Sequence, residues 1–382
     1  MTNFPIKKYF DYAATSPLNE DLFLQSYEKF KSAMANPSST HGEGIRAKKL
    51  LEEARQSCAD SLGIKPGQIV FTSGGTESDH WPFLSLLQRP AGEGGKRGSI
   101  LVSETEHAAV REQAFVMGKQ GFDIITVPPT ADGIITAEAV EKRLRRDTVL
   151  VCVHWVNNET GAIQPIAEIG KMLKDLTSGK AKFHVDAVQA VGKIPFVFDN
   201  NISSAAISAH KIGGMRGCGI LFLQNRQEAF LRGGGQEGGL RSGTENVFSA
   251  YNLSLCLKDV IAKQEKKYGP QQEILEKFIV GLKELNFSVI PEIRASNPQL
   301  FSPWILQAAS PKLPGQVLVR ALSEQGFYIS TGSACSATKE SRPVLKAMNV
   351  PPKVSLNGVR FSFGYETSLE DVNSLLDALR NI

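Results

Sequence analysis

The chain has 382 residues, 42% hydrophobic and 21% charged, with 43 Lys plus Arg against 39 Asp plus Glu and a formal net charge of +4. That is an ordinary globular composition, too long for a single core, so two domains are expected. The weak net charge and short basic clusters (Lys48-Lys49, Arg145-Arg146, Lys266-Lys267) argue against nucleic acid as a partner, and no run of roughly 18 apolar residues suggests a membrane span.

The first ten residues hold no apolar signal core, so secretion is not expected. From about residue 40 the pattern alternates helix and strand. A helical run over 45–62 has apolar or small positions at Ile45, Leu50, Leu51, Ala54 and Cys58. A strand over 68–72 ends in Ser73-Gly74-Gly75-Thr76-Glu77, which opens the next helix. A strand over 99–103 runs into Glu104-Thr105-Glu106-His107 and a helix to about Gln120. Further strands are predicted over 122–127, 148–154, 182–186, 205–208 and 219–223, with helices over 136–145 and 165–177. The strands at 150–154 and 220–223 are near-continuous apolar runs, as in a mostly parallel sheet covered on both faces. Two long helical runs, 247–267 and 271–285, lead to a smaller α+β region that ends in a helix from Ser368. The expected division is a large α/β domain over 15–258 and a small domain over 259–382, with the arm 1–14 packed on the small one.

Ligands of open α/β sheets bind beyond the carboxyl ends of the strands, where this chain places its polar segments. Gly74-Gly75-Thr76 offers backbone N–H groups and a hydroxyl to an anion, reinforced by a helix N-terminus; the plain alternative is a turn with Thr76 as N-cap. Asp186 ends a strand expected to be buried, where a carboxylate needs a cationic partner such as a protonated pyridine nitrogen; otherwise it caps the next turn. Lys211, between His210 and Ile212, could form a Schiff base with an aldehyde cofactor, or be an exposed loop lysine. Five widely spaced cysteines fit neither a disulfide framework nor a zinc site and suit a reducing cytoplasm. Cys335, in Gly332-Ser333-Ala334-Cys335-Ser336, reads as an accessible nucleophile or as a small buried hydrophobe.

Together these segments resemble the cysteine desulfurases of the NifS/IscS type that feed iron–sulfur cluster assembly, on the class V aminotransferase fold. The resemblance spans nearly the whole chain in order. It rests on Phe71-Thr72-Ser73-Gly74-Gly75-Thr76-Glu77, Thr105-Glu106-His107, Asn157-Asn158-Glu159-Thr160-Gly161, His184-Val185-Asp186-Ala187-Val188-Gln189, Ser208-Ala209-His210-Lys211, Arg241-Ser242-Gly243-Thr244, Gly332-Ser333-Ala334-Cys335 and Arg360-Phe361-Ser362-Phe363-Gly364. It implies a fold type I pyridoxal-phosphate-dependent transferase. By the same resemblance Lys211 is the Schiff-base lysine, Asp186 pairs with the ring nitrogen, and Gln189 meets the ring hydroxyl. His107 stacks on the ring and is catalytic with Lys211 and Cys335. Gly75, Thr76, Ser208 and His210 hold the phosphate, and Thr244 reaches the phosphate site of the partner in a homodimer. Asn158 lies near cofactor and substrate, and Arg360 grips the carboxylate of L-cysteine. A sulfur-acceptor protein or scaffold is an expected further partner.

Two segments depart from the family pattern. Asp79-His80 stands where Asn-Asn is usual, and Gly214-Met215-Arg216-Gly217 where Gly-Pro-Lys-Gly is usual. A selenocysteine lyase would use the same apparatus, a class V aminotransferase would not need Cys335, and an idle scaffold would not need Lys211, Asp186 and His107 together.

Overall fold

The computed structural model describes residues 4–88, 90, 95–332 and 342–382. Helices α1 (Glu20–Phe30) and α2 (Gly42–Leu62) lead to β1 (Ile69–Thr72), α3 (Gly75–Leu87), β2 (Ser99–Ser103), α4 (Ala108–Lys119) and β3 (Asp123–Val127). Then come α5 (Ala137–Glu141), β4 (Thr148–Cys152), α6 (Ile166–Thr177), β5 (Lys182–Asp186), β6 (Ser204–Ser208) and β7 (Gly219–Leu223). These seven strands form one sheet in the order β1-β7-β6-β5-β4-β2-β3. Only β7 runs against its neighbours; every other pair is parallel. Strands β1, β2, β6 and β7 are buried along their whole length, as strands sandwiched between helices must be. The edge strand β3 is exposed at Asp123 and Thr126.

Beyond the sheet come α7 (Val247–Glu284), β8 (Ser288–Ile290), β9 (Ile305–Ala309), α8 (Gly315–Glu324), α9 (Pro343–Ala347), α10 (Pro352–Leu356), β10 (Gly358–Ser362) and α11 (Leu369–Arg380). The last three strands form a small antiparallel sheet, β10-β9-β8. The N-terminal segment lies along this region: Tyr9 bridges to Tyr328, Asp11 to Ser362, and Phe10 packs on Phe327 and Phe363.

Two predicted elements differ. The helical runs 247–267 and 271–285 are one 38-residue helix, α7, which continues through Pro270. Proline removes a helix hydrogen bond and so reads as a break. Here the faces on either side are held by burial of Leu257, Val260, Leu275 and Phe278 in one core. Helix α5 stops at Glu141, short of the predicted 145. The Arg145 backbone N–H donates to Thr148 Oγ1 at 2.9 Å, and this turns the chain into β4.

Candidate active site

The carboxyl ends of β1, β2, β4, β5 and β6 open on one cleft of about 240 Å³. Its lining includes Gly75, Thr76, His107, Asn158, Asp186, Gln189, Ser208, His210, Lys211 and Arg360. All the predicted site residues within the described chain are therefore in one place except Thr244, which is exposed and does not line the cleft. Cys335 lies outside the described residues.

Helix α3 begins at Gly75, and its N-cap is Gly74 (φ 148°), not Thr76. Positive φ at Gly74 suits glycine. A side chain at Gly75 would come within 2.9 Å of Val188, so the helix start sits tightly against the segment after β5 and beside Ser208. Unsatisfied N–H groups at that helix end make an anion site. Glu77 on the same turn binds Arg241 at 2.6 Å, which ties the Arg241–Thr244 loop to α3.

Lys211 follows β6 on a short 3₁₀ turn, and its Nζ donates to the carbonyls of Ala13 (2.6 Å) and Ala14 (2.8 Å). Asp186, the last residue of β5, accepts the Val188 N–H at 2.9 Å, so it caps the following turn as well as lining the cleft. Burial first, and then the Glu106 carboxylate, push its carboxyl up to about 6. A carboxyl so destabilised as an ion calls for a cation beside it. Gln189 donates to Ala13 O at 2.9 Å. His107 caps α4: its Nδ1 accepts the Ala109 N–H at 3.2 Å. Burial, followed by the charge of Lys211, holds His107 down at about 4, so the ring is neutral. Burial and the Lys211 charge likewise lower His210, whose ring contacts Thr15 Oγ1 at 3.0 Å.

Arg360, on β10, is 1% exposed and so is not a surface group. It does form an ion pair, with Asp11 (Nη2 to Oδ1, 2.7 Å), and Nη1 donates to the Asn158 carbonyl at 2.9 Å. Its buried Nε has no partner. A guanidinium with donors left over in a cleft suits a carboxylate.

Four polar residues at or beside the cleft, of which Asp79 and His154 line it, were not assigned roles from the sequence. Glu106 Oε1 accepts the His154 backbone N–H at 2.7 Å and meets its Nδ1 at 3.2 Å. Burial would raise Glu106, but His154 outweighs it and holds this carboxyl below its usual range. Asp79 meets His184 Nε2 at 3.2 Å, and His184 Nδ1 meets Ser204 Oγ at 2.9 Å. Burial, then Asp186 and Glu106, push Asp79 well up, and burial pushes His184 down to about 4, so the ion is disfavoured on both sides of this pair. In the sequence Glu106 and His184 appeared only as members of the segments that carry the resemblance, and Asp79 only as a departure from them.

The mostly parallel sheet and the residues gathered at its strand ends define a class, and the chain belongs to the class-V aminotransferase family, whose family model matches residues 8–375. Within it the chain is similar to the cysteine desulfurase IscS of Dictyoglomus turgidum, 34% identical over 379 residues that cover 98% of this chain and 94% of that one. Among solved structures it is similar to a NifS-like protein, with a TM-score of 0.89, 31% identity and 98% of both chains covered. It is also similar to SspA in complex with cysteine, with a TM-score of 0.80, 30% identity, and 94% of this chain and 100% of that one covered.

Proposed function

We propose that this protein is a pyridoxal-phosphate-dependent cysteine desulfurase, which converts L-cysteine to L-alanine and leaves the sulfur as a persulfide on Cys335. The observation that carries the reading is the meeting of Lys211, buried Asp186, neutral His107 and Arg360 in a single cleft at the strand ends.

The residues fit the cofactor. Asp186 is a buried carboxyl that calls for a cation, which a ring nitrogen would supply. The N-terminus of α3 with Thr76, Ser208 and His210 fits a phosphate, Gln189 a ring hydroxyl, and the neutral face of His107 a stacked ring. When bound, pyridoxal phosphate supplies an aldehyde that takes up an amino group and a protonated ring that accepts electrons from the α carbon. Lys211 Nζ would tether it and then move the proton from the substrate α carbon. Arg360 orients the substrate through its carboxylate, with Asn158 beside it. The Cys335 thiolate attacks the substrate sulfur; the carbon–sulfur bond breaks as the sulfur–sulfur bond forms, and a proton returns to give alanine.

The other four cysteines, Cys58, Cys152, Cys218 and Cys256, are all buried. Burial pushes their thiols up, to about 12 at Cys218 and Cys256, which makes them poor nucleophiles. The ends of the segment that carries Cys335 are joined next to β10: Arg342 donates to the Thr331 carbonyl and, at 2.8 Å, to that of Gly358. A homodimer gives Thr244 its use, at the partner's phosphate site. No helix among the described residues is long and apolar enough to cross a membrane, and a cytoplasmic enzyme that hands sulfur to an acceptor protein for iron–sulfur clusters fits the unpaired thiols.

The test is alanine and sulfide release from L-cysteine, with and without reductant. Cys335→Ser is expected to keep the bound cofactor's absorbance and lose sulfide release; desulfuration at the parent rate would refute the role. Arg360→Gln is expected to raise KM for cysteine by roughly 10–100-fold, through loss of a charge-assisted contact. A steady-state comparison with a thermal melt separates this from the stability lost with the Asp11 pair.

A further inference from the structure

Behind the cleft lies a second cavity, of about 400 Å³, which shares Lys211 with it. Lys193 lines this cavity and does not line the cleft. It follows Gly192, whose φ of +74° and approach to Val260 of α7 leave no room for a side chain. The resulting turn sends Lys193 inward, and its side chain is buried. Lys193 Nζ donates to Gln189 Oε1 at 2.6 Å, and its own carbonyl accepts from Trp304 Nε1 at 2.7 Å.

A buried lysine is costly, and none of the roles above uses this one. Burial, and then the charges of Lys211 and Arg360, lower it to about 7. Asp21, Asp259, Lys263 and Glu366 are the other charged groups lining its cavity.

The chemistry of its contact is specific. When protonated, as it is below about pH 7, Lys193 has donors only and can meet only the oxygen of the Gln189 amide. The Ala13 carbonyl has an acceptor only, so it can meet only the nitrogen. Both contacts therefore demand the same one of the two amide orientations, which would otherwise be nearly interchangeable. That orientation leaves the second N–H of Gln189 for the cleft. Ala13 O also accepts Lys211 Nζ at 2.6 Å, so Lys193, Gln189, Ala13 and Lys211 form one connected chain.

We propose that Lys193 is a positioning residue: from the second cavity it locks the Gln189 amide so that a donor, and not an acceptor, faces the cofactor's ring oxygen. This rests on the pyridoxal-phosphate reading above. Without Lys193 only the Ala13 carbonyl holds that orientation, so turning the amide oxygen toward another oxygen costs one hydrogen bond where it had cost two, and cofactor binding weakens.

The experiment compares the cofactor-loaded parent with Lys193→Met, Lys193→Gln, Gln189→Leu and the Gln189→Leu/Lys193→Met double variant. The readouts are the cofactor dissociation constant, followed by absorbance during dialysis, and the melting temperature. Absence of a visible band in the parent would sink the cofactor reading itself, whatever the variants do. With the band present, Lys193→Met is expected to weaken cofactor binding roughly tenfold, the scale of one lost hydrogen bond and its repulsive replacement. Lys193→Gln, which keeps an N–H donor, stays within about threefold of the parent on the same scale. In the Gln189→Leu background Lys193→Met has no further effect on affinity. An equal loss in that background, an unchanged affinity in Lys193→Met, or the full Met-type loss in a folded Lys193→Gln overturns the proposal. Should Lys193→Met not fold, the Lys193→Gln and Gln189→Leu pair still decides it: a Gln variant as weak as Gln189→Leu rejects the positioning role, and one near the parent supports it.

Discussion

Lys211→Ala is expected to abolish the visible absorbance of the cofactor-supplied protein and to lower alanine formation from L-cysteine by at least about 10³-fold. The size follows from the two jobs that fall to one amine. Lys211 Nζ is the nitrogen that the turn after β6 delivers into the cleft, held by the carbonyls of Ala13 and Ala14. In the proposed reading its loss removes both the covalent tether and the base that moves the α-carbon proton. The other lysine nearby, Lys193, is engaged with Gln189 and lines the cavity behind, so it is not placed to substitute. Borohydride treatment of the parent followed by peptide mapping should tag the peptide that contains residue 211, and no peptide of the variant. A variant with the parent's band and rate would overturn the assignment.

Asp186→Asn is expected to reduce kcat/KM by roughly 10²–10³-fold, the cost of removing one partner from a buried ion pair. It is also expected to change stability with a sign that depends on the cofactor. Without a cation opposite it, Asp186 has its folded-state pKa raised to about 6, chiefly by burial. The unfolded chain, with a carboxyl near 3.9, then ionises first as pH rises. Stability of the cofactor-free protein therefore falls between about pH 4 and pH 6 and stays low above, by on the order of 3 kcal/mol for a shift of about two units. The asparagine variant lacks this penalty. Cofactor-free Asp186→Asn should thus melt higher than the cofactor-free parent at pH 8 and level with it at pH 4, whereas the loaded parent should regain the lead at pH 8. Melting curves at pH 4, 6 and 8, with and without added cofactor, measure all of this. A cofactor-free parent whose melting temperature did not fall from pH 4 to pH 6 relative to the variant would refute the buried, unpaired carboxyl.

Much of the architecture was legible along the chain because its signals are local. The strands at 99–103, 182–186 and 219–223 match the predicted bounds, since short β-branched and apolar stretches bounded by polar residues and turns leave little choice. Gly74-Gly75, Asp186 and Lys211 stood out because each stands at or within three residues of the end of a strand, and parallel strands must release the chain at one edge of the sheet. The ordinary reading of Asp186 as a cap holds, and His107 is a cap as well, while both residues also line the cleft. One ring or carboxylate can close a turn with one atom and face the cleft with another.

By itself, then, the sequence determined the α/β rhythm, the strand-end motifs and the family they resemble, all properties of neighbouring residues. The tertiary structure alone decided which distant groups became partners. Asp11 meets Arg360 across 349 positions, Arg241 meets Glu77 across 164, and Asp79 meets His184 across 105. It also decided that α7 runs unbroken through Pro270, because packing on both sides of the proline outweighs one missing hydrogen bond. Burial likewise set the acidities of Asp186, Asp79 and Lys193. How far a charged group is removed from water depends on what folds over it, and spacing along the chain does not encode that.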